Sequence, residues 1–268
     1  QQWRSAIKDS VESHGGILRL LTYDHNDDPV IYDALDGNFD LLFLNSITPS
    51  PSLKLRLNRV RKKVVSLFRD MSGLGILSID GVSPDLVGEM VGKLAGLGHR
   101  RMAFFNTQPE SSVISLRLGS WKEAMSSRDL PEIIINDPVP PFHDSCAKAY
   151  EVFHKLVKQG PLPFTAVFTT TVYSAKGILR ALHECGMKCP ADISIFSMGE
   201  LSDARLSVPA IATIDTENLD KYVKDIYLRI LEDKIDRSRL HYCPEHQYFV
   251  GESTGIAKNI NKGRTQDA

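Results

Sequence analysis

The sequence predicts an α/β protein made of two doubly wound parallel-sheet lobes. Three observations predict it. Short apolar runs recur between stretches of helical periodicity. The runs are apolar throughout instead of alternating with polar residues, as strands covered on both faces require. The series also restarts midway, with about four strands before His99 and about five from Met102 onward.

The elements follow in order. Trp3, Ile7 and Val11 form a helical stripe stopped by Gly15 and Gly16, and Ile17 to Thr22 reads as the first strand. Leu41–Leu44 and Val64–Phe68 read as further strands, separated by a basic helical stretch from Ser52 to Lys63. Pro84 suits the first turn of a helix whose apolar face is Leu86, Met90 and Leu94 and which ends in glycine. In the second half the strands are Met102–Phe105, Glu132–Ile135, Ala166–Thr169 and Asp192–Phe196, and Pro209 to Thr213 begins another apolar run. The intervening helices bury Val113, Trp121 and Met125, then Tyr150, Phe153 and Val157, then Ala175, Ile178, Leu179 and Leu182. Tyr222, Val223, Ile226 and Ile230 make one more amphipathic helix; His241 to Ser253 reads as a strand pair, and Asn259 to Ala268 as a polar tail.

Composition excludes several classes. The 268 residues carry 32 Lys and Arg against 33 Asp and Glu, a formal net charge of −1, which is unlike a basic nucleic-acid module. No stretch approaches the ~18 uninterrupted apolar residues of a membrane helix, and the first ten residues lack the pattern of a secretory signal. The chain begins with Gln1, so the expectation is a fragment or processed product lacking an upstream part. The four cysteines, Cys146, Cys185, Cys189 and Cys243, have no disulfide-framework spacing and point to a reducing cytoplasm.

Catalytic signatures are missing: there is no Walker loop, no HExxH and no GxSxG elbow. Gly73 to Ser78 imitates a dinucleotide fingerprint but precedes a strand where a phosphate loop follows one, so it reads as a turn. His183, Cys185 and Cys189 sit at a helix end before Pro190, which explains them without a metal. His241, Cys243 and His246 read as alternating strand positions, so the expectation is no metal and no cofactor. Lys54, Arg56, Arg59, Arg61, Lys62, Lys63 and Arg69 form a basic run without an intervening acid; it reads as a solvated helix surface, with contact to an acidic partner as the alternative.

From Gly96 to Phe105, GLGHRRMAFF resembles the step into the second lobe in the effector-binding domain of the lactose-repressor/galactose-repressor (LacI/GalR) regulators. Other similarities follow in family order: VVSLFRDM at Val64–Met71, RLGSW at Arg117–Trp121, AVFTTTVYSAKGILRALHECG at Ala166–Gly186, then PADISIFSMGE and PAIATID. Each motif is weak alone; their order and spacing over nearly the whole chain are specific.

The resemblance implies a type I periplasmic-binding-protein-like fold. It implies an N-terminal lobe from 1–98 and 216–238, a C-terminal lobe from 99–215 and 239–256, and a tail from 257–268. The family's first strand and a DNA-binding headpiece would lie upstream, the headpiece being a helix-turn-helix or a winged helix of the GntR kind. The ligand site lies by default between lobes, near the carboxyl ends of strands.

Carried over position by position, the resemblance places Arg117 at the ligand-binding arginine and Phe142 where an aromatic stacks on the ligand, although Phe142 equally suits a packed loop. Thr171 and Val172 stand where the family has Asn-Asp, Gly199 and Glu200 where it has Asp-Asp, and Phe68 replaces an aspartate. These exchanges remove acceptors for paired sugar hydroxyls, so the pocket reads as less sugar-like than usual. Thr170, Thr171, Tyr173 and Glu200 supply hydrogen bonds. Two readings stay open: Glu200 with Arg117 orients an acidic or zwitterionic ligand, or the pocket has lost its effector and the domain serves dimerisation.

The resemblance thus implies a ligand-sensing, homodimeric domain that modulates operator-DNA binding by a headpiece, without membrane contact and without catalysis. The rival from a transport class is a periplasmic-type solute-binding protein of the same fold. An enzyme reading lacks any nucleophile, metal or cofactor constellation.

Overall fold

The computed structural model describes residues 2–45, 47–141, 143–217 and 219–258, and at residues 2, 3, 219 and 220 the backbone alone. Phe142 and residues 259–268 of the expected tail lie outside the described residues. The chain divides into two units, Gln1–Ser83 with Thr216–His246, and Pro84–Asp215 with Gln247–Ala268.

The first unit holds a parallel sheet in the order β1 (Leu42–Asn45), β2 (Val64–Leu67), β3 (Leu77–Ile79) and β9 (His241–Tyr242). On one face α1 (Gln2–Glu12) packs on α9 (Leu219–Leu231): Ala6, Ile7 and Val11 meet Val223, Ile226 and Tyr227 over Val65, Leu67, Leu77 and Ile79. The other face is closed by α2 (Pro29–Asp36) and α3 (Pro51–Val60) through Ile31, Leu35, Leu53 and Leu57. Both helices start as their sequences dictate, with Asp28 and Ser50 as side-chain N-caps and proline in the first turn.

The second unit holds a sheet in the order β10 (His246–Phe249), β8 (Ala212–Thr216), β7 (Ser194–Met198), β6 (Ala166–Thr169), β4 (Met102–Asn106) and β5 (Glu132–Asn136). The pairs from β8 through β5 are parallel. Phe104, Phe168 and Phe196 are register partners across three strands, and Trp121 of α5 (Ser112–Ser126) stacks on Phe168 at 5.7 Å. The alternate side chains Ala103, Phe105, Val167 and Ile195 face α6 (Ser145–Lys158) and α7 (Val172–Glu184), whose Phe153, Ile178 and Leu182 complete that core. Both faces are therefore apolar, which is why these strands lack alternation in the sequence.

Three expectations need correction. Ile17–Thr22 is not a strand: the segment has no ladder partner among the described residues, and Ile17 is 85% and Leu20 67% exposed. An apolar run becomes a strand only when another backbone takes its N–H and C=O groups. His241–Ser253 is not a strand pair, because β9 joins the first sheet and β10 the second, with Pro244 between them. The lobe boundary falls at Ser83/Pro84 and not at 98/99. The helix α4 (Leu86–Gly96) buries Val87, Met90, Val91 and Leu94 in the second unit, against α5, and the return stretch 239–246 belongs to the first unit. No helix among the described residues is long and apolar enough to cross a membrane.

Candidate functional site

In the second sheet the chain runs outward from β4 to β5 and then returns to the other side of β4 as β6. Such a reversal leaves the carboxyl ends of β4 and β6 free of a covering crossover, the place where open α/β sheets bind ligands. The polar residues of the second unit converge there.

Asn106, at the end of β4, is fully buried. Its Nδ2 donates to Asn136 Oδ1 at 2.9 Å and to the Gln108 carbonyl at 3.1 Å, and its Oδ1 accepts from Thr170 Oγ1 at 2.7 Å. Gln108 Nε2 donates to Ser145 Oγ at 2.5 Å and to Thr171 Oγ1 at 3.0 Å. Thr107 Oγ1 lies 3.0 Å from Ser174 Oγ. The first turns of α6 and α7 are thereby tied to the end of β4. Thr171 is also the N-cap of α7, accepting from the Ser174 amide, so it is committed to the scaffold as well as to the site.

Arg117 reaches this network from α5 and donates from Nη1 to the Thr170 carbonyl at 2.7 Å. Its Nε is buried and has no acceptor. Burial of the guanidinium lowers its pKa to about 10, the negative charge of Glu200 opposing that shift, so it remains a cation at neutral pH.

Glu200 follows β7 with φ 48° and ψ 49°, the left-handed region, and Gly199 before it has φ 76°. These two residues turn the chain sharply, and the Glu200 carboxylate accepts from the Val172 amide at 2.7 Å, at the N-terminus of α7. Burial raises the Glu200 pKa to about 7; the Val172 amide and Arg117 oppose this, while Asp215 and Asp203 add to it. Asp215 in turn accepts from the Leu201 amide at 2.8 Å.

The structure therefore brings together Arg117, Thr171 and Glu200, with Thr170 beside them. Tyr173 stands on the first turn of α7 with Lys176 Nζ 5.5 Å from its ring centre, and Lys176 pairs with Asp203; burial and the carboxylates of Asp203 and Glu200 raise the phenol's pKa. Phe68 belongs to the first unit, where it directly follows β2 with φ 59° and packs on Gly81. The network residues Asn106, Gln108, Ser145 and Asp215 were not anticipated. Asn106 carries a sequence signal, its place directly after the apolar run Met102–Phe105; the others come from the loop after β4 (Gln108), the first turn of α6 (Ser145) and β8 (Asp215).

Other candidates resolve differently. The basic run borders a surface cavity of about 340 Å³ in the first unit, lined by Phe39, Asn58, Arg59, Arg61, Lys62 and Lys63. Lys63 donates to the Phe39 carbonyl at 3.1 Å and Arg56 pairs with Asp36, so part of that charge is used within the unit. Cys189 donates its thiol to the Ser253 carbonyl at 3.4 Å, and burial pushes its pKa up to about 12.

Residues 91–254, more than half of the chain, match the family model described as the periplasmic binding protein-like domain. Curated relatives include the HTH-type transcriptional repressor PurR of Histophilus somni, 28% identical over 55% of this chain and 44% of its own length. The HTH-type transcriptional regulator AscG of Escherichia coli is 26% identical over 46% of this chain and 36% of its own length. The chain thus spans less than half the length of these relatives. Among solved structures, a LacI family transcriptional regulator from Enterococcus faecium with bound ribose superposes with a TM-score of 0.79 at 16% identity, covering 96% of this chain and 94% of that one. The lactose repressor bound to an anti-inducer in its induced state gives a TM-score of 0.79 at 19% identity over 94% of both chains. At these identities the likeness is one of fold.

Proposed function

The chain belongs to the periplasmic binding protein-like domain family, and from that premise we propose that it is the ligand-sensing and dimerisation part of a LacI-type transcriptional regulator. In this reading a small-molecule effector shifts the equilibrium between two arrangements of the domain, and operator DNA is bound by a headpiece outside these 268 residues. The coupling operates through different effector affinities in the two arrangements, commonly worth about 1–3 kcal/mol. The protein acts in the cytoplasm as a homodimer and performs no catalysis. The names of the curated relatives AscG, PurR and the lactose operon repressor, each a transcriptional regulator or repressor, support this over a transport role.

The observation that carries the effector site is Arg117: a cation at a strand-reversal point, anchored through Nη1, with a buried Nε lacking an acceptor. A guanidinium edge so placed suits a carboxylate, phosphate or hydroxyl group. Glu200, near its midpoint at neutral pH, accepts from or donates to a second ligand group. Together they favour an acidic or zwitterionic metabolite over a neutral pyranose. Thermal unfolding of the chain with sugars, sugar acids, nucleosides and amino acids tests this. A rise in Tm with an acidic or zwitterionic class is expected; no rise with any class overturns the sensing role.

A further inference from the structure

We propose that Asp80, His241 and Cys243 form a binding site for a divalent transition-metal ion of zinc type, with Asp70 orienting the histidine. The site lies wholly within the first unit, apart from the Arg117 network of the second.

The placement follows from strand pairing. β3 and β9 run parallel with Ser78 opposite His241 and Ile79 opposite Tyr242, and the Asp80 amide continues the ladder by donating to the Tyr242 carbonyl at 2.9 Å. Alternate residues share a face, so Asp80 on one strand comes beside His241 and Cys243 on the other. His241 Nε2 lies 2.7 Å from Asp80 Oδ2 and 3.8 Å from Cys243 Sγ, and Asp80 Oδ2 lies 3.9 Å from that sulfur. Three donor atoms of different chemistry thus face one another within 4.8 Å.

Metal–ligand distances of about 2.0 Å to nitrogen or oxygen and 2.3 Å to sulfur place tetrahedral ligand atoms about 3.3–3.6 Å apart. The two sulfur distances are close to this. The shorter His–Asp contact is the hydrogen bond that a cation between them replaces. A thiolate, an imidazole and a carboxylate make the mixed soft and borderline donor set that selects zinc-like ions over magnesium or calcium. Three protein ligands leave a fourth position for water or a ligand group.

Asp70 adds an independent observation. Its Oδ2 stands 3.8 Å from Nδ1, the other ring nitrogen of His241. Histidines that bind metal through one nitrogen commonly present the other N–H to a carboxylate, which fixes the tautomer and strengthens the donor. The carboxylate at this nitrogen suits that arrangement after a small approach. The charges agree too: with neutral His241, Asp70, Asp80 and a Cys243 thiolate bring three negative charges to a dication.

A nucleophilic cysteine is a poorer account of the same residues. That arrangement needs a ring nitrogen free for the thiol while a carboxylate holds the other; Asp70 does face Nδ1, but Nε2 is taken by Asp80 at 2.7 Å and the Cys243 sulfur stands 3.8 Å away. His246 is not part of the cluster, since its Nε2 accepts from the Ser83 amide at 3.3 Å.

Titration of the tag-free chain with Co²⁺ under reducing conditions provides the test. The expected result is one equivalent bound with a thiolate-to-cobalt charge-transfer band and the visible spectrum of tetrahedral coordination, both abolished by excess Zn²⁺. Cys243→Ser should remove the charge-transfer band, His241→Ala and Asp80→Asn should each weaken binding at least about tenfold, and Asp70→Asn should weaken it about tenfold. His246→Ala and Cys185→Ser should leave it unchanged. Thermal unfolding of each variant without metal shows that it folds, and Zn²⁺ should raise the Tm of the parent but not of Cys243→Ser. The absence of stoichiometric binding by the folded parent chain, or a charge-transfer band that persists in Cys243→Ser, overturns the proposal.

Discussion

The carboxylate of Glu200 accepts the amide hydrogen of Val172 at 2.7 Å, so the first turn of α7 is capped from a different segment of the chain. The cap depends on the left-handed backbone at Glu200, a conformation that costs a non-glycine residue free energy. It couples a helix N-terminus, a carboxylate near its midpoint at neutral pH, and the cation Arg117.

Replacing Glu200 with Gln tests the electrostatics. The folded pKa, about 7, lies above the unfolded value of 4.5, so the contribution of this group to stability is fully present below about pH 4.5 and is lost as pH rises through about 7. Glutamine still accepts from Val172 but has no charge to desolvate. The difference in unfolding free energy, Glu200→Gln minus parent, should therefore rise from pH 5 to pH 8 in urea melts. A difference independent of pH would show that Glu200 is ordinarily solvated.

Arg117→Ala should abolish the thermal shift given by the effector, and Arg117→Lys should reduce it, because an ammonium replaces the planar fork by a single point charge. A shift of unchanged size in Arg117→Ala would remove this residue from the site.

His99 is buried, with Nδ1 2.7 Å from Thr165 Oγ1 and Nε2 3.0 Å from the Gly255 carbonyl, tying the start of β4 to β6 and the C-terminal segment. His99→Ala should cost about 2–4 kcal/mol in chemical denaturation, from a cavity and lost buried hydrogen bonds. Burial lowers the folded pKa below 6.5, so the stability that His99 contributes through its neutral form is present above pH 6.5 and lost as pH falls through the folded value. The parent should lose stability over that acid range more steeply than the variant.

Gly177→Ala separates propensity from packing. Within α7, alanine is intrinsically better than glycine by about 1 kcal/mol. A Cβ at this position would meet the Cys146 carbonyl at 2.3 Å and the Tyr150 amide nitrogen at 2.8 Å on α6. Backbone atoms cannot rotate away, so the helices must separate, and overpacking costs of about 1–3 kcal/mol exceed the propensity gain. Equilibrium unfolding should show net destabilisation; a stabilised variant would mean that α6 and α7 are less closely packed.

Much of the site was legible from the strand-end rule. Thr170 and Thr171 follow the run AVFT, and Glu200 follows DISIF at the turn after β7, so their neighbourhood was readable without coordinates. The partners were not. Asn106 bonding to Thr170 and Gln108 to Thr171 are contacts between segments more than sixty residues apart, and Asp215 reaches the Leu201 amide across 14 residues, all set by which strands lie side by side.

By itself the sequence determined the alternation of strands and helices, the apolar faces of α4, α6 and α7, and the doubly apolar strands of the second sheet, because these depend on burial periodicity that each segment carries within it. Only the tertiary structure decided that Ile17–Thr22 finds no ladder partner among the described residues, that β9 and β10 join different sheets, and that Asp80 meets His241 and Cys243. A strand exists only with a partner, and a run of residues carries its own apolar pattern but not the address of the backbone that will accept its hydrogen bonds.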